Sequence, residues 1–322
     1  MPLNISLITP AEKRALNGNS VTANRWARIL TGLGHRVSVA NSNDGQWHWN
    51  NCDLLVAIHA FRSARAIEAF RSRYPGRALI VLLAGTDIYR FQFSAPHIVR
   101  RSLHAASKLV ALHDQTGDDL PPEAGPKLRI IRQSALPLPQ PLSPSKKTFD
   151  VCIAGHLREE KDPLRTALAA RLAPSSSKLR VVHLGKAHTR QWAAAARTEM
   201  QTNPRYIWRG EVRRWQVRRQ FARAHAMVIS SVMEGGANVV SEAIVAGLPI
   251  IASDISGNQG MLGPAHPGYF ATGDETSLAE VLVRAERDRV FLESVRATSL
   301  AKAPLYHPDR ERAAWSALLE EL

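Results

Sequence analysis

The 322-residue chain has only two cysteines, lacks a long apolar run and carries far fewer acids than bases. Cys52 and Cys152 lie far apart in apolar contexts. That spacing excludes a disulfide framework and the paired-cysteine pattern of a zinc site, so both read as core thiols in a reducing compartment. No stretch approaches the roughly 18 apolar residues of a membrane span, and the N-terminus shows no signal-peptide pattern. A cytoplasmic location without stable membrane association is therefore expected. No Asp-x-Asp pair sits in a metal-binding loop context, so no metal ligand and no required cofactor are expected. No internal repeat is visible.

Forty-two Lys and Arg against 28 Asp and Glu leave a net charge of +14. Such a balance suits nucleic acid, an anionic membrane surface or small anionic substrates. The arginines are spread along the chain, with a cluster at residues 209–223 that lacks the interleaved aromatics of a single-strand platform and any DNA-reading motif. Solvated helix faces account for most of the charge, and nucleic acid is not an expected partner. The apolar share of 45% with 22% charged residues is ordinary for a globular protein. The length allows two domains of about 150 residues, each with its own core.

The chain is organised around residues 227–253, MVISSVMEGGANVVSEAIVAGLPIIAS. Residues 227–230 have the length of a buried strand, and Gly235-Gly236 breaks the backbone. A helical pattern through Val239, Val240, Ala243, Ile244 and Ala246 follows. Gly247 and Pro249 end it before a second strand at residues 250–252. In such a unit the loop lies at the carboxyl ends of the strands, where open α/β sheets bind ligands. Free N–H groups near Gly236, Ala237, Asn238 and Val239 form an anion site strengthened by the helix dipole. Glu234 precedes that site and Glu242 lies a turn inside it, ~6 Å beyond Asn238 at the helical rise, about the reach from a diphosphate to its ribose. Two readings stay open on geometry alone: a nucleotide-sugar site, or a capped helix with two solvated glutamates.

Further strands are expected at residues 4–8, 35–39, 53–58, 78–83, 109–112, 128–131, 150–154, 180–184 and 206–208. Helices are expected at residues 21–33, 64–73, 190–200, 215–223, 277–285 and 310–322. The first strand leads to a loop at residues 11–20 with the turn signal Asn17-Gly18-Asn19, and Ser256-Gly257-Asn258 reads as a glycine loop. His59, Arg62, Thr86 and Asp87 fall at carboxyl ends of strands, where all could face one cleft. A turn hydrogen bond or a cap serves any one of them equally well. Residues 135–147, ALPLPQPLSPSKK, carry four prolines with serine and lysine and mark a linker.

Glu234 and Glu242, with seven residues between them and the A-G-x-P of residues 246–249 following, resemble the E-x7-E signature of retaining GT4-type GT-B glycosyltransferases. The strand–loop–helix opening with Gly18 and the Gly85-Thr86-Asp87 junction are similar to that family as well. So is GHLREEKDP at residues 155–163, although His156 stands where the family has Arg. The resemblance implies an α/β, GT-B fold with two Rossmann-like domains facing an interdomain cleft: an acceptor-side domain at 1–134, a linker at 135–149, a nucleotide-sugar domain at 150–303, and a C-terminal helix at 304–322 packing back across the interface. It implies a UDP-sugar as substrate. Glu234 would contact the donor sugar and Glu242 the ribose, with Lys161 and Arg158 on the diphosphate and Gly235 to Val239 around it. Gly18, Asn19, His59, Arg62, Thr86 and Asp87 would serve the acceptor, with Glu234, His59 and Lys161 as catalytic residues.

A narrower resemblance covers nearly the whole chain: LITP…NGN…RWARIL, GHLREEKDP with its His156, NPRYIWRGE, SSVMEGGANVVSEA and SGNQG…PGYF are similar to the selenosugar synthases of selenoneine biosynthesis. It implies that selenophosphate is joined to the anomeric carbon of a UDP-sugar, typically UDP-N-acetylglucosamine, with release of UDP and then phosphate. Two alternatives stand beside it. An ordinary retaining transferase for a glycan or lipid acceptor would need an exposed apolar or aromatic patch on the N-terminal domain, which the sequence does not show clearly. A basic nucleic-acid or regulatory binding protein with a degenerate sugar site would show salt-dependent binding without UDP affinity.

Overall fold

Short apolar runs that do not alternate with polar residues suit parallel strands buried on both faces, and the intervening amphipathic stretches suit the helices that cover them. The computed structural model describes residues 1–10, 18–45, 47–139 and 142–322. The chain divides into two compact units. The first comprises Met1–Gln133, Gly235–Ala237 and Pro308–Leu322, the second Ser134–Glu234 and Asn238–His307.

The first unit runs β1 (Asn4–Thr9), α1 (Gly18–Gly32), β2 (Arg36–Asn41), β3 (Leu54–Ile58), α2 (Ala64–Arg73), β4 (Ala78–Leu82), α3 (Gln92–Ser94), α4 (Pro96–Ala105), β5 (Lys108–Ala111) and β6 (Leu128–Ile130). Its described strands form a parallel sheet in the order β2-β1-β3-β4-β5-β6. The pleat of β3 sorts the core. Leu54, Val56 and Ile58 join Trp26, Leu30 and Trp315 on one face, while Leu55 and Ala57 join Phe70, Val81 and Leu103 on the other. Asn17 and the loop before it lie outside the described residues. Gly18 and Asn19, expected in a turn, instead open α1. Residues 87–105 form a π-helical turn (Asp87–Phe91), then α3 and α4, the latter with Pro96 in its first turn.

The second unit runs β7 (Phe149–Ala154), α5 (Arg165–Leu172), β8 (Leu179–Leu184), α6 (Arg190–Thr202), β9 (Tyr206–Trp208), α7 (Arg214–Arg223), β10 (Ala226–Ile229), α8 (Asn238–Ala246), β11 (Ile250–Ser253), α9 (Ser256–Leu262), β12 (Tyr269–Phe270), α10 (Glu275–Arg287) and α11 (Arg289–Leu300). Its described strands are also parallel, in the order β12-β11-β10-β7-β8-β9. The chain steps outward from β7 through β8 to β9 and from β10 through β11 to β12. The carboxyl ends of β7 and β10 therefore flank the switch point at which such sheets open a crevice. Ser256-Gly257-Asn258 is the first turn of α9 rather than a loop. Gly257 is tolerated in that helix because its bare Cα lies against the Glu234 backbone.

Both cysteines are buried, and burial pushes both thiols up, which makes them poor nucleophiles. Among the described residues no helix is long and apolar enough to cross a membrane. The last helix, α12 (Pro308–Glu320), belongs to the first unit's core. The Trp26 indole N–H donates to Glu311 Oε1 at 2.8 Å, Arg25 Nε reaches the same oxygen at 3.2 Å, and Trp315 meets Trp26 edge-on with ring centroids 4.8 Å apart. Trp315 is fully buried. Trp315→Ala is expected to lower stability by about 3–5 kcal/mol through lost burial and the cavity left behind. Urea unfolding measures it, and a loss below about 1 kcal/mol would show that α12 is only loosely held.

Candidate active site

At the switch point of the second unit, the loop after β7 and the loop after β10 are fastened to one another. Ser230 Oγ donates to the Lys161 and Asp162 carbonyls at 3.2 and 2.9 Å, and Val232 N donates to Glu160 O at 3.0 Å. The post-β7 loop turns back through a 3₁₀ turn at Glu159–Lys161, closed by Asp162 in the left-handed region at φ 41°. This places the Lys161 ammonium on Glu234 Oε1, and the Ser231 hydroxyl donates to the same oxygen. Glu234 is 7% exposed, so its charge is compensated within the protein.

A second layer holds Glu234 in place. Ser253 Oγ donates to Ser231 O at 2.5 Å and accepts from Asn258 Nδ2 at 3.0 Å, tying the post-β10 loop to α9. A Cβ on Gly257 would fall on the Glu234 carbonyl, so only glycine lets α9 approach this closely.

A small cavity of about 20 Å³ at this point is lined by Gly155, His156, Lys161, Ser230, Ser231 and Val239 among others. His156 Nδ1 accepts Lys186 N–H at 3.1 Å, so the neutral ring carries its hydrogen on Nε2. Its ring stands 5.2 Å from that of His188, whose pKa is lowered by burial first and then by His156, Arg158 and Lys186. His183 also lines the cavity. Burial pulls its pKa down to about 4, and its Nε2–H donates to Gly155 O at 3.0 Å while Nδ1 accepts from the Tyr206 hydroxyl at 2.9 Å. It is a neutral buttress of the loop. Arg158 sits on the same loop, its Nε 3.8 Å from Glu160 Oε2.

Helix α8 starts at Asn238 with its first-turn N–H groups unpaired within the helix, as every helix start leaves them. Gly236 leads into it at φ 108°, a conformation that favours glycine. Gly235 and Ala237 are buried beside it, and these three residues group with the first unit. Glu242 lies one turn inside α8. Arg214, at the start of α7, places Nε at 3.1 Å and Nη2 at 2.8 Å from Glu242 Oε1. Among the described residues no cluster of three His, Cys, Asp or Glu side chains could hold a metal ion.

In the first unit, Asp87 is 1% exposed and accepts Ala60 N, Ala84 N and Phe61 N at 2.8, 2.9 and 2.9 Å. His59 Nδ1 lies 2.6 Å from Asp87 Oδ1 and Nε2 lies 2.9 Å from Thr86 Oγ1. With so many donors aimed at Asp87, the ring donates through Nδ1–H and accepts the Thr86 hydroxyl through Nε2. The 3.2 Å approach of Arg62 N to Nδ1 is then a contact rather than a hydrogen bond. His59 is 2% exposed and held at φ 78°, an uncommon conformation for a residue with a side chain. Three of the residues expected on the acceptor side thus form one chain, Asp87–His59–Thr86, while Arg62 is exposed nearby in sequence. Among the described residues, Gly18 and Asn19 at the start of α1 form no hydrogen bond with that chain. On the same unit Phe61 and Phe91 stack at 4.0 Å, and Phe93 is 73% exposed.

Sequence reasoning missed Ser230, Ser231, Gly257, Asn258 and Arg214. Two serines directly after a buried strand were a readable sign, as was an arginine at a helix start, where the dipole disfavours cations. Gly257→Ala is expected to force α9 away from Glu234, lowering stability by about 1–3 kcal/mol and turnover at least ~10-fold. Urea unfolding and steady-state rates measure both. A variant unchanged in both would show that the close approach has no bearing on Glu234.

Residues 138–300 match the family model described as glycosyl transferases group 1, just over half of the 322 residues. No curated protein matches the chain in sequence. Among solved structures, HepE of Anabaena in complex with UDP and glucose is similar at a TM-score of 0.78 and 14% identity, over 99% of this chain and 100% of that one. Sucrose-phosphate synthase from Thermosynechococcus elongatus is similar at 0.78 and 14%, over 99% and 98%. A glycosyltransferase from Rickettsia africae is similar at 0.74 and 11%, over 99% and 98%. At these identities the structural likeness is one of fold, the GT-B arrangement of two parallel α/β units. With the family match spanning the switch-point loops, the chain belongs to the group 1 glycosyl transferases.

Proposed function

We propose that this glycosyltransferase takes a UDP-sugar, UDP-N-acetylglucosamine by preference, and forms a carbon–selenium bond between its anomeric carbon and selenophosphate. The donor half is carried by one observation: Lys161, Glu234 and the start of α8 at Val239 converge on the β7/β10 switch point. HepE of Anabaena, which shares the fold, has been solved with UDP and with UDP-glucose. A nucleoside diphosphate suits the amides of a helix start and an ammonium, and Glu242 stands one turn further on for the ribose. When a diphosphate takes the Lys161 ammonium, Glu234 is released to a hydroxyl of the donor sugar.

In the transfer step the selenium lone pair forms the bond to the anomeric carbon, and the carbon–oxygen bond to the diphosphate breaks with its electron pair. UDP leaves. Water then adds across the phosphorus–selenium bond, giving phosphate and the selenosugar. Lys161, Arg158 and the α8 amides offset the charge that grows on the leaving diphosphate, the role for which a cation would otherwise serve, so the reaction needs no metal. The Asp87–His59–Thr86 chain and exposed Arg62 serve the acceptor, with Gly18 and Asn19 at the start of α1. The case for selenium rests on the sequence likeness to selenosugar synthases and on the net charge of +14, which favours an anionic acceptor.

A second reading, transfer to a glycan or lipid, has specific observations in its favour: Phe93 is 73% exposed and the half-buried Phe61 and Phe91 stack at 4.0 Å, aromatic groups that such an acceptor would use. Mass spectrometry of reactions containing UDP-sugars with selenophosphate separates the two. UDP and a selenosugar should form, and yield should persist in excess chelator. UDP released only with a glycan or lipid would select the second reading, and activity restored solely by added magnesium or manganese would refute the account of the leaving group.

A further inference from the structure

The start of α7 is electrostatically costly. Arg213 and Arg214 occupy its N-cap and first position, and no acid lies in its first turn. Cations there oppose the helix dipole. The helix start is instead fastened by Gln216, whose side-chain oxygen accepts Arg213 N–H at 3.0 Å. Capping therefore does not require an arginine at position 214.

The guanidinium faces Glu242. Nε and Nη2 of Arg214 both fall on Oε1, at 3.1 and 2.8 Å, and Oε2 has no partner among the described residues. A guanidinium and a carboxylate can also pair in a two-point geometry that uses both oxygens. Here one oxygen is held and the other left over. Glu242 is nearly enclosed while Arg214 is 52% exposed, so the fixed member of the pair is the carboxylate.

We infer that Arg214 is a positioning residue for nucleotide recognition: it holds Glu242 by one oxygen and keeps the other aimed at the vicinal ribose hydroxyls. This rests on the reading of the second unit as the UDP-sugar site. It also answers an electrostatic difficulty of that reading. A carboxylate within a few ångströms of a diphosphate would be repelled by it, and the Arg214 charge offsets that repulsion without occupying the phosphate groups.

The experiment is calorimetric titration of the 322-residue protein with UDP and with 2′,3′-dideoxy-UDP, which lacks both hydroxyls. Wild type, Glu242→Ala, Arg214→Ala, Arg214→Lys and the double alanine variant are compared after thermal melts confirm folding. Wild type should favour UDP over the dideoxy nucleotide by at least about tenfold, the effect of a charge-assisted hydrogen bond. Glu242→Ala should abolish that preference. Arg214→Ala should reduce it to about twofold with little change in dideoxy-UDP affinity, the double variant should lose nothing further, and Arg214→Lys should recover part of it. Equal weakening of both nucleotides by Arg214→Ala, or no change in either, overturns the positioning role and leaves an ordinary surface ion pair. Wild-type protein that binds no UDP, or an ineffective Glu242→Ala, instead overturns the nucleotide-site reading on which the inference rests.

Discussion

The ion pair between Lys161 and Glu234 is the contact on which the site in the second unit depends. It joins two loops that leave adjacent strands in opposite directions, and it does so where the sheet topology opens a crevice. A carboxylate as enclosed as Glu234 is held only if its charge is matched and its lone pairs are used. Lys161 supplies the charge and Ser231 a hydrogen bond, while Ser253 at the end of β11, itself held by Asn258 of α9, fixes Ser231. On the function proposed above, a diphosphate would compete for the ammonium and free the glutamate.

The two units handle buried charge differently. In the second, lysine and glutamate neutralise each other beside a helix start that still offers N–H groups. In the first, Asp87 is satisfied by three backbone N–H groups and a histidine, an arrangement that fixes the backbone after β3 and after β4 and holds His59 at its unusual φ. Such strain persists only where the surroundings over-determine it. Asp87 and its donors supply that constraint, and the Thr86 hydroxyl is the outer end of the chain they build.

Much of this was legible in the sequence because parallel sheets write their strands as short apolar runs. The strand–loop–helix–strand unit at residues 227–253 and the spacing of Glu234 and Glu242 were readable from turn chemistry and helical rise. What was not legible depended on distance across the fold. Ser256-Gly257-Asn258 looks like a loop locally but is helical, since the glycine's value lies in its closeness to Glu234. Residues 87–91 form a π turn, whose spacing departs from the α-helical period that the sequence is read by. Arg214 could not be paired with Glu242 from separations along the chain, and the Phe61–Phe91 stack joins segments that no local pattern connects. His156 was visible as a departure from the family pattern, and the structure adds its tautomer, set by Lys186 N–H.

The central claim is that the β7/β10 switch point is a nucleotide-diphosphate site with Lys161 as its principal cation. Calorimetric titration of UDP into Lys161→Ala and wild-type protein under identical salt tests it most directly. Loss of a charge-assisted hydrogen bond to phosphate should weaken binding by about 10- to 100-fold. Equal affinity in a folded variant would contradict the claim and place the diphosphate elsewhere.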